Sequence, residues 1–124
     1  MIVDLWFWRA DPAAARDADV VRADLARAEV APDPARPAGY RGFRLRGRTP
    51  AGLVAFDPAR LLLALDDALD PTSRLELVTS ADGAVWGTVG VERGRAADLV
   101  RALTGAGLTV HDVQTGALHA PGDL

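Results

Sequence analysis

The chain has 124 residues, of which 49% are hydrophobic and 25% are charged, as is typical of one ordinary globular domain. Cysteine is absent, which excludes disulfides and thiolate chemistry, and two histidines are too few for a histidine-rich metal site. We therefore expect neither a metal nor another cofactor. Residues 1–9 have no basic leader region and are too short for a membrane span, so we expect a cytoplasmic protein with no membrane partner.

All 14 basic residues are arginine, and the net charge is −3. Five of the arginines fall between residues 36 and 48, where no acid intervenes, so the rest of the chain is distinctly acidic. The overall charge argues against general nucleic-acid binding. The expected electrostatic pattern is a local basic segment on an acidic body. The arginines of this segment are Arg36, Arg41, Arg44, Arg46 and Arg48.

The first half of the chain predicts one strand and two helices. Residues 2–8 are rich in branched and aromatic side chains, which predicts a strand. Asp11 followed by Pro12 predicts the start of a helix that continues to about Glu29 with apolar residues at helical spacing. The second signal, Asp57-Pro58, precedes a leucine stripe and predicts a helix over residues 58–69.

Residues between these helices predict a loop and a hairpin. Prolines at positions 32, 34 and 37 exclude a helix interior and a central strand, so this segment is expected to be a loop. Residues 40–48 alternate apolar and arginine side chains, and an apolar run follows at 53–56. This pattern favours a short edge hairpin whose arginines point outward.

The second half of the chain predicts a hairpin, a helix and a last strand. Residues 75–80 and 84–92 alternate in polarity and are joined by Asp82-Gly83, a strong hairpin signal. A helix is expected from about residue 95 to 105, and a strand over 108–113. Residues 116–124 are expected to form a mobile tail behind a single domain that spans residues 1–115.

The order of strand, helix, strand, strand, helix and strand predicts an α+β fold of the ferredoxin-like type. Such a fold is an antiparallel sheet with two helices packed on one face, and here a hairpin and a helix at about residues 40–69 are inserted. The strand at 2–8 is apolar on both faces, so we expect it to be central and to pair with 84–92 or 108–113. A parallel α/β sheet is the weaker alternative, because the Asp82-Gly83 turn requires an antiparallel pair.

Side chains on alternate residues of the predicted strands separate into two faces. One face is uniformly apolar and includes Val85. The other, which we call the tryptophan face, carries all three tryptophans together with acids and a histidine, as on recognition surfaces. Its members are Ile2, Asp4, Trp6, Trp8, Glu76, Val78, Trp86, Thr88, Glu92, Thr109 and His111.

Three arrangements of the tryptophan face remain open. In the first, the helix at 58–69 covers the face and the tryptophans are core residues. In the second, the face is open and binds a partner. In the third, two copies of the chain associate through it. Asp4 is unusual in each case, because a carboxylate between Ile2 and Trp6 needs a partner or solvent.

His111 is the single candidate for catalysis, as a general base oriented by Glu76 or Asp4. A lone histidine within a strand is more often structural. No nucleophile elbow, phosphate-binding glycine loop or zinc spacing is present. The sequence therefore argues against an enzyme without excluding one.

The function expected from these features is a non-catalytic protein-binding module, such as an accessory or an immunity or antitoxin-like partner protein. The expected binding residues are Asp4 and the tryptophans of the tryptophan face, and Arg41, Arg44, Arg46 and Arg48 of the basic segment. The alternative is a cofactor-independent enzyme or small-molecule-binding protein with an aromatic pocket formed in a homodimer.

Overall fold

The structure, a computed structural model, describes residues 1–33 and 40–121, and these form one open eight-stranded sheet with three helices. Arg36 and most of the proline-rich segment lie outside the described residues. The helices are α1 (Ala18–Arg27), α2 (Pro58–Leu65) and α3 (Ala96–Gly105). The strands are β1 (Ile2–Ala10), β2 (Val30–Pro32), β3 (Arg41–Leu45), β4 (Leu53–Val54), β5 (Arg74–Ser80), β6 (Gly83–Glu92), β7 (Thr109–Asp112) and β8 (Leu118–His119).

Strand β1 is central, as its two apolar faces predicted. It pairs antiparallel with β6 along one edge and with β7 along the other, and the sheet order is β2-β3-β5-β6-β1-β7-β8. The predicted hairpin around Asp82-Gly83 is also confirmed, since β5 and β6 pair antiparallel. The apolar faces of residues 2–8 and the Asp82-Gly83 turn therefore both predicted the middle of the sheet correctly.

The hairpin predicted over residues 40–56 is wrong. Strand β3 pairs in parallel with β5, and β4 pairs with the end of β1. Phe43 and Leu45 pack into the apolar cluster beneath α1, so β3 buries its apolar side chains more fully than a two-stranded hairpin would allow. The edge strand on this side is β2.

The helices divide between the two faces differently from the prediction. Helices α2 and α3 pack on the apolar face, where Leu61, Leu65, Leu99 and Leu103 join its core cluster. Helix α1 packs on the tryptophan face through Val21 and Leu25. The expected ferredoxin-like arrangement, with the first and last helices on one face and 58–69 inserted, is not confirmed. The described chain is a mixed α+β fold.

The two aspartate-proline signals have different outcomes. Asp57 caps α2, because its side chain accepts the backbone N–H of Ala59 at 3.0 Å, as predicted. The side chain of Asp11 likewise accepts the N–H of Ala13 at 2.9 Å, but the residues after it form a turn. Helix α1 begins after Asp17. Both carboxylates make the same local bond, so capping chemistry alone does not fix where a helix starts.

One irregularity changes the assignment of Val85. The β5–β6 register shifts beside Val78, where Thr79 pairs with Ala84 and Val78 pairs with Trp86. Val85 is therefore the extra residue of a bulge, and it packs with the tryptophan-face cluster. The prediction that Val85 belongs to the apolar face is wrong, because a bulge interrupts the alternation.

The last described residues extend the sheet. Leu118 and His119, within the segment expected to be a mobile tail, form β8 and pair with His111 and Val110 of β7. Residues 122–124 of that segment lie outside the described residues. Among the residues that are described, no helix is long and apolar enough to cross a membrane.

Gly87 provides a test of the core packing. It lies opposite Phe7, and a Cβ at this position would overlap the ring of Phe7 and lie 2.7 Å from the carbonyl oxygen of Glu76. We expect Gly87→Ala to lower the free energy of unfolding by about 1–3 kcal/mol, as overpacking does. Urea unfolding measures this loss. Gly94→Ala is the control, because nothing lies within 4 Å of its Cβ position. An equal loss in both variants would contradict the packing argument.

Candidate functional site

The register of the sheet arranges the tryptophan face in three rows, because paired residues on neighbouring strands point to the same side. The rows run across β5, β6, β1 and, in the last two, β7. The first row is Arg74, Gly90 and Asp4; the second is Glu76, Thr88, Trp6 and His111; the third is Val78, Trp86, Trp8 and Thr109.

Helix α1 covers the third row. Trp8 and Trp86 lie directly opposite each other on β1 and β6, and only 2% and 4% of their surfaces are exposed. Val21 and Leu25 of α1 complete the cluster that contains them. These two tryptophans are core residues, and the helix that covers them is α1 rather than the segment 58–69.

The second row lies at the boundary between covered and open surface. Trp6 is half-buried and packs against the edge of the cluster beneath α1. Asp4, one row further out, is exposed. The tryptophan face is therefore closed at one end and open at the other, an outcome between the covered and open arrangements considered from the sequence.

A groove runs along this boundary. Its inner part is a pocket of about 390 Å³ between α1, β3 and the sheet, with Trp6, Trp86 and Phe43 in its walls. Its outer part, about 450 Å³, is bordered by Arg41 and Arg74. Both parts share three polar residues: Asp4, Glu76 and Thr88. We call the two parts together the groove.

The two carboxylates of the groove differ in their contacts. Glu76 forms an ion pair with Arg41 at 3.4 Å and accepts a long hydrogen bond from Thr88 Oγ1 at 3.5 Å. Among the described residues, the Asp4 carboxylate has neither a hydrogen bond nor an ion pair. A Cβ on Gly90 would lie 3.3 Å from Asp4 Oδ1, so the absence of a side chain there keeps space beside the carboxylate.

Arg41 also interacts with an aromatic ring of the groove. Its guanidinium carbon lies 5.6 Å from the centre of the Phe43 ring, within the range of cation–π attraction. The same guanidinium contacts Glu76. A cation of the chain itself is thus held between an aromatic ring and a carboxylate at the outer end of the groove.

The arginines of the basic segment do not form one surface. All four described ones are exposed, but Arg41 and Arg44 are three residues apart on β3 and point to opposite faces. Arg44 lies 3.9 Å from Asp33, and Arg46 and Arg48 follow the strand. Only Arg41 borders the groove. The expectation of an outward-pointing basic hairpin is replaced by a single arginine at the site.

The structure does not bring His111 together with Glu76. Strands β6 and β1 separate them, which corresponds to about 14 Å between their backbones. The carboxylate nearest His111 is instead that of Asp19 of α1, at 3.7 Å between Nε2 and Oδ1. His111 is only 4% exposed, and its Nδ1 has no hydrogen-bond partner in the described residues. Neither carboxylate proposed to orient this histidine as a base does so.

Several groove residues were not identified from the sequence, among them two large apolar side chains of the inner pocket, Leu25 and Phe43. Leu25 was assigned to a helix on the opposite face, and Phe43 to a hairpin. Phe43 carried a usable signal, since it is a large aromatic residue among alternating arginines. Leu25 carried none, because helical spacing identifies the buried stripe of a helix but not the face of the sheet that receives it.

Helix α1, which forms one wall of the groove, is attached to the rest of the chain by Asp24. Arg16 lies 2.8 Å from this carboxylate and donates to the carbonyl of Ala51 at 2.9 Å, and Arg27 donates to Asp24 at 2.6 Å. Hydrogen bonds from Arg16 and then from Arg27 hold the pKa of Asp24 below its ordinary value. The ionised carboxylate therefore connects α1 to the segment before β4.

We expect Asp24→Asn to lower the melting temperature at neutral pH. The pKa of Asp24 is depressed in the folded state, so its contribution is complete above the ordinary aspartate pKa and is lost as the pH falls through the lower folded value. Thermal unfolding followed by circular dichroism at pH 7 and at a series of lower pH values measures this loss. Asp98→Asn is the control, because its pair with Arg101 stays within α3. A difference in melting temperature that stays constant as the pH falls below the ordinary aspartate pKa would contradict this role.

The tryptophans give a second test. Trp86→Ala should lower the free energy of unfolding by about 3–5 kcal/mol, because it leaves a cavity beneath α1. Trp6→Ala should cost only about 1–2 kcal/mol, since Trp6 is only partly buried at the edge of the cluster. Urea unfolding followed by circular dichroism compares the two variants. Equal losses would show that Trp6 is packed as tightly as Trp86 and that the groove has no open end.

The chain matches no family model, no curated protein sequence and no solved structure.

Proposed function

We propose that the protein is a non-catalytic binding module that recognises another protein through the groove. The observation that carries this proposal is the half-buried Trp6 beside the carboxylate of Asp4, which has no partner among the described residues, at the open end of the tryptophan face. Tryptophan is one of the residue types that are enriched among the few side chains that carry most of the binding energy at protein interfaces. An accessory partner protein is the class that this arrangement favours.

The rigid walls of the groove support the proposal. Trp86 and Val78 are buried in the cluster beneath α1, so this part of the groove is preformed. A preformed site loses less side-chain entropy when a partner binds. The exposed apolar side chains of Ile2 and Val113 lie near the open end and add contact area for a partner.

We also propose that the central elements are a ferredoxin-like unit made of β1, α2, β5, β6, α3 and β7. Its support is the strand order β5-β6-β1-β7 and the packing of α2 and α3 on one face. In this interpretation the added segment is α1 to β4, not residues 40–69. The added segment supplies α1 and β3, which are two walls of the groove.

A small-molecule-binding protein is the second candidate. The inner pocket of about 390 Å³ has aromatic walls and few polar groups, and its volume is within the range of small-molecule sites. This pocket is formed within one chain, whereas the sequence suggested a pocket enclosed by a dimer. Mass spectrometry of the protein purified from its native host under non-denaturing conditions would detect a retained small molecule and favour this candidate.

Site-specific photo-crosslinking in the native host tests the first proposal. A benzophenone amino acid replaces Ile2, which borders the groove, or Leu63, which is 79% exposed on α2 at the opposite side of the sheet. We expect a discrete adduct with another protein from position 2 and none from position 63. Trp6→Ala in the position-2 variant should reduce the adduct by about tenfold or more, the effect of losing one interface anchor.

Two outcomes would contradict the proposal. Adducts of equal yield from positions 2 and 63 would indicate non-specific contact, and an adduct unaffected by Trp6→Ala would place the interface elsewhere. Circular dichroism of the Trp6 variant confirms that it remains folded, so a lost adduct reports the interface and not unfolding.

A further inference from the structure

Among the described residues, the charges that line the inner pocket are all negative. Asp4 and Glu76 contribute carboxylates, and the other lining residues are aromatic, aliphatic or neutral. Trp6 and Phe43 present aromatic surface to the same space. Aromatic rings attract cations through their electron-rich faces, and carboxylates accept hydrogen bonds from them. A guanidinium or an ammonium group is the ligand chemistry that complements this combination.

Arg41 shows that the groove holds such a group. Its guanidinium lies 3.4 Å from Glu76 Oε2 and 5.6 Å from the centre of the Phe43 ring. The side chain nevertheless remains 77% exposed, so it occupies the outer rim of the groove. Arg41 pairs with the Glu76 carboxylate and the Phe43 ring, and no cation of the described residues pairs with Asp4 or Trp6.

From these observations we infer that the groove binds an arginine or lysine side chain of a partner polypeptide between Trp6 and the Asp4 carboxylate. The inference rests on the proposed function and names the chemistry that the partner presents. Asp4 is the charged contact, and Trp6 provides the aromatic surface. Gly90 keeps the approach to Asp4 free of a side chain.

A polypeptide is favoured over a free organic cation because the groove extends beyond the cation position. The outer part extends from Asp4 along β1 to Ile2 and across the sheet to Arg74, which has no ion pair among the described residues. A partner chain that places its basic side chain at Asp4 therefore also meets the apolar side chain of Ile2 and the positive charge of Arg74. A small cation would leave this surface unused.

Peptide titration monitored by NMR tests the inference. The probes are acetyl-Ala-Arg-Ala-amide, its lysine counterpart and a citrulline counterpart that has the shape of arginine without its charge. We expect the first two to shift the indole N–H resonance of Trp6 and the backbone resonances of Asp4 and Thr88, and we expect citrulline to bind about tenfold more weakly. Equal binding of citrulline would overturn the cationic ligand.

Substitution of the carboxylate identifies the contact. Asp4→Asn should weaken binding of the arginine peptide by about fivefold, the scale of a partly exposed charge contact. Asp67→Asn is the control, since it removes the same charge from an exposed position directly after α2, on the other side of the sheet. Equal effects of the two substitutions would show that only the overall charge matters and would overturn the site.

Removal of the Arg41 guanidinium is expected to strengthen binding of the arginine peptide, whereas Asp4→Asn weakens it. Arg41→Gln frees Glu76 and the Phe43 ring, so it should tighten binding of the arginine peptide by about three- to fivefold. Arg101→Gln, on α3, makes the same charge change away from the groove and should alter binding by less than about twofold. Weaker binding after Arg41→Gln would mean that Arg41 supports the ligand, and would overturn the inference.

The inference and the proposed function fail separately. A crosslinked adduct from position 2 without a response to the arginine peptide would overturn the cationic side chain and leave the binding module standing. A response to the peptide without an adduct would overturn the protein-binding module. Free arginine that binds more tightly than the peptide would overturn a polypeptide ligand and assign the pocket to a small cation.

Discussion

Strand β1 is the element on which both layers of the structure depend. Val3, Leu5 and Phe7 are buried on one side of it, and Trp8 is buried on the other. Apolar side chains on both faces must be removed from water, so helices have to cover the sheet from both sides. Helices α2 and α3 cover the first side completely, whereas α1 covers only the end of the second that carries Trp8 and Trp86.

The groove is a direct result of this unequal coverage. Helix α1 has ten residues and is therefore about 15 Å long, too short to cover a strand as long as β1 when it packs at one end. The side chains along β1 change accordingly, from buried Trp8 through half-buried Trp6 to exposed Asp4. A gradient of burial along one strand places an aromatic ring, a carboxylate and water next to one another, which a fully covered sheet would not do.

Local sequence signals predicted the structure correctly where it depends on residues that are close together along the chain. The turn at Asp82-Gly83, the cap at Asp57 and the central position of β1 all follow from residue chemistry and alternation. Local signals were insufficient where the structure depends on contacts between segments that are far apart along the chain. Strand β3 pairs with β5 more than thirty residues later, and nothing within residues 41–45 indicates that partner. The faces covered by α1 and α2 are likewise set by packing between distant elements.

The same distinction applies to the site. Asp4 and Trp6 were recognised from alternation within β1, which is a local property. His111, the candidate base, was also recognised from its sequence, but its orienting carboxylate was not, because Asp19 belongs to α1 and reaches the histidine only through the packing of that helix. Leu25 and Phe43 could not be assigned to the groove, because both belong to the segment from α1 to β4. The sequence does not indicate which face of the sheet this segment packs against.

The ends of the sheet determine how another chain can attach. On one side the outermost described strand is β2, which has three residues and ends in Pro32, a residue with no backbone N–H to donate. On the other side, β8 has two residues. Within the part of the chain that the structure describes, neither edge strand is long enough to offer the row of free backbone groups that strand addition requires. Backbone pairing, which tolerates many sequences, is therefore poorly supported, and discrimination between partners falls to side-chain contacts on the face of the sheet.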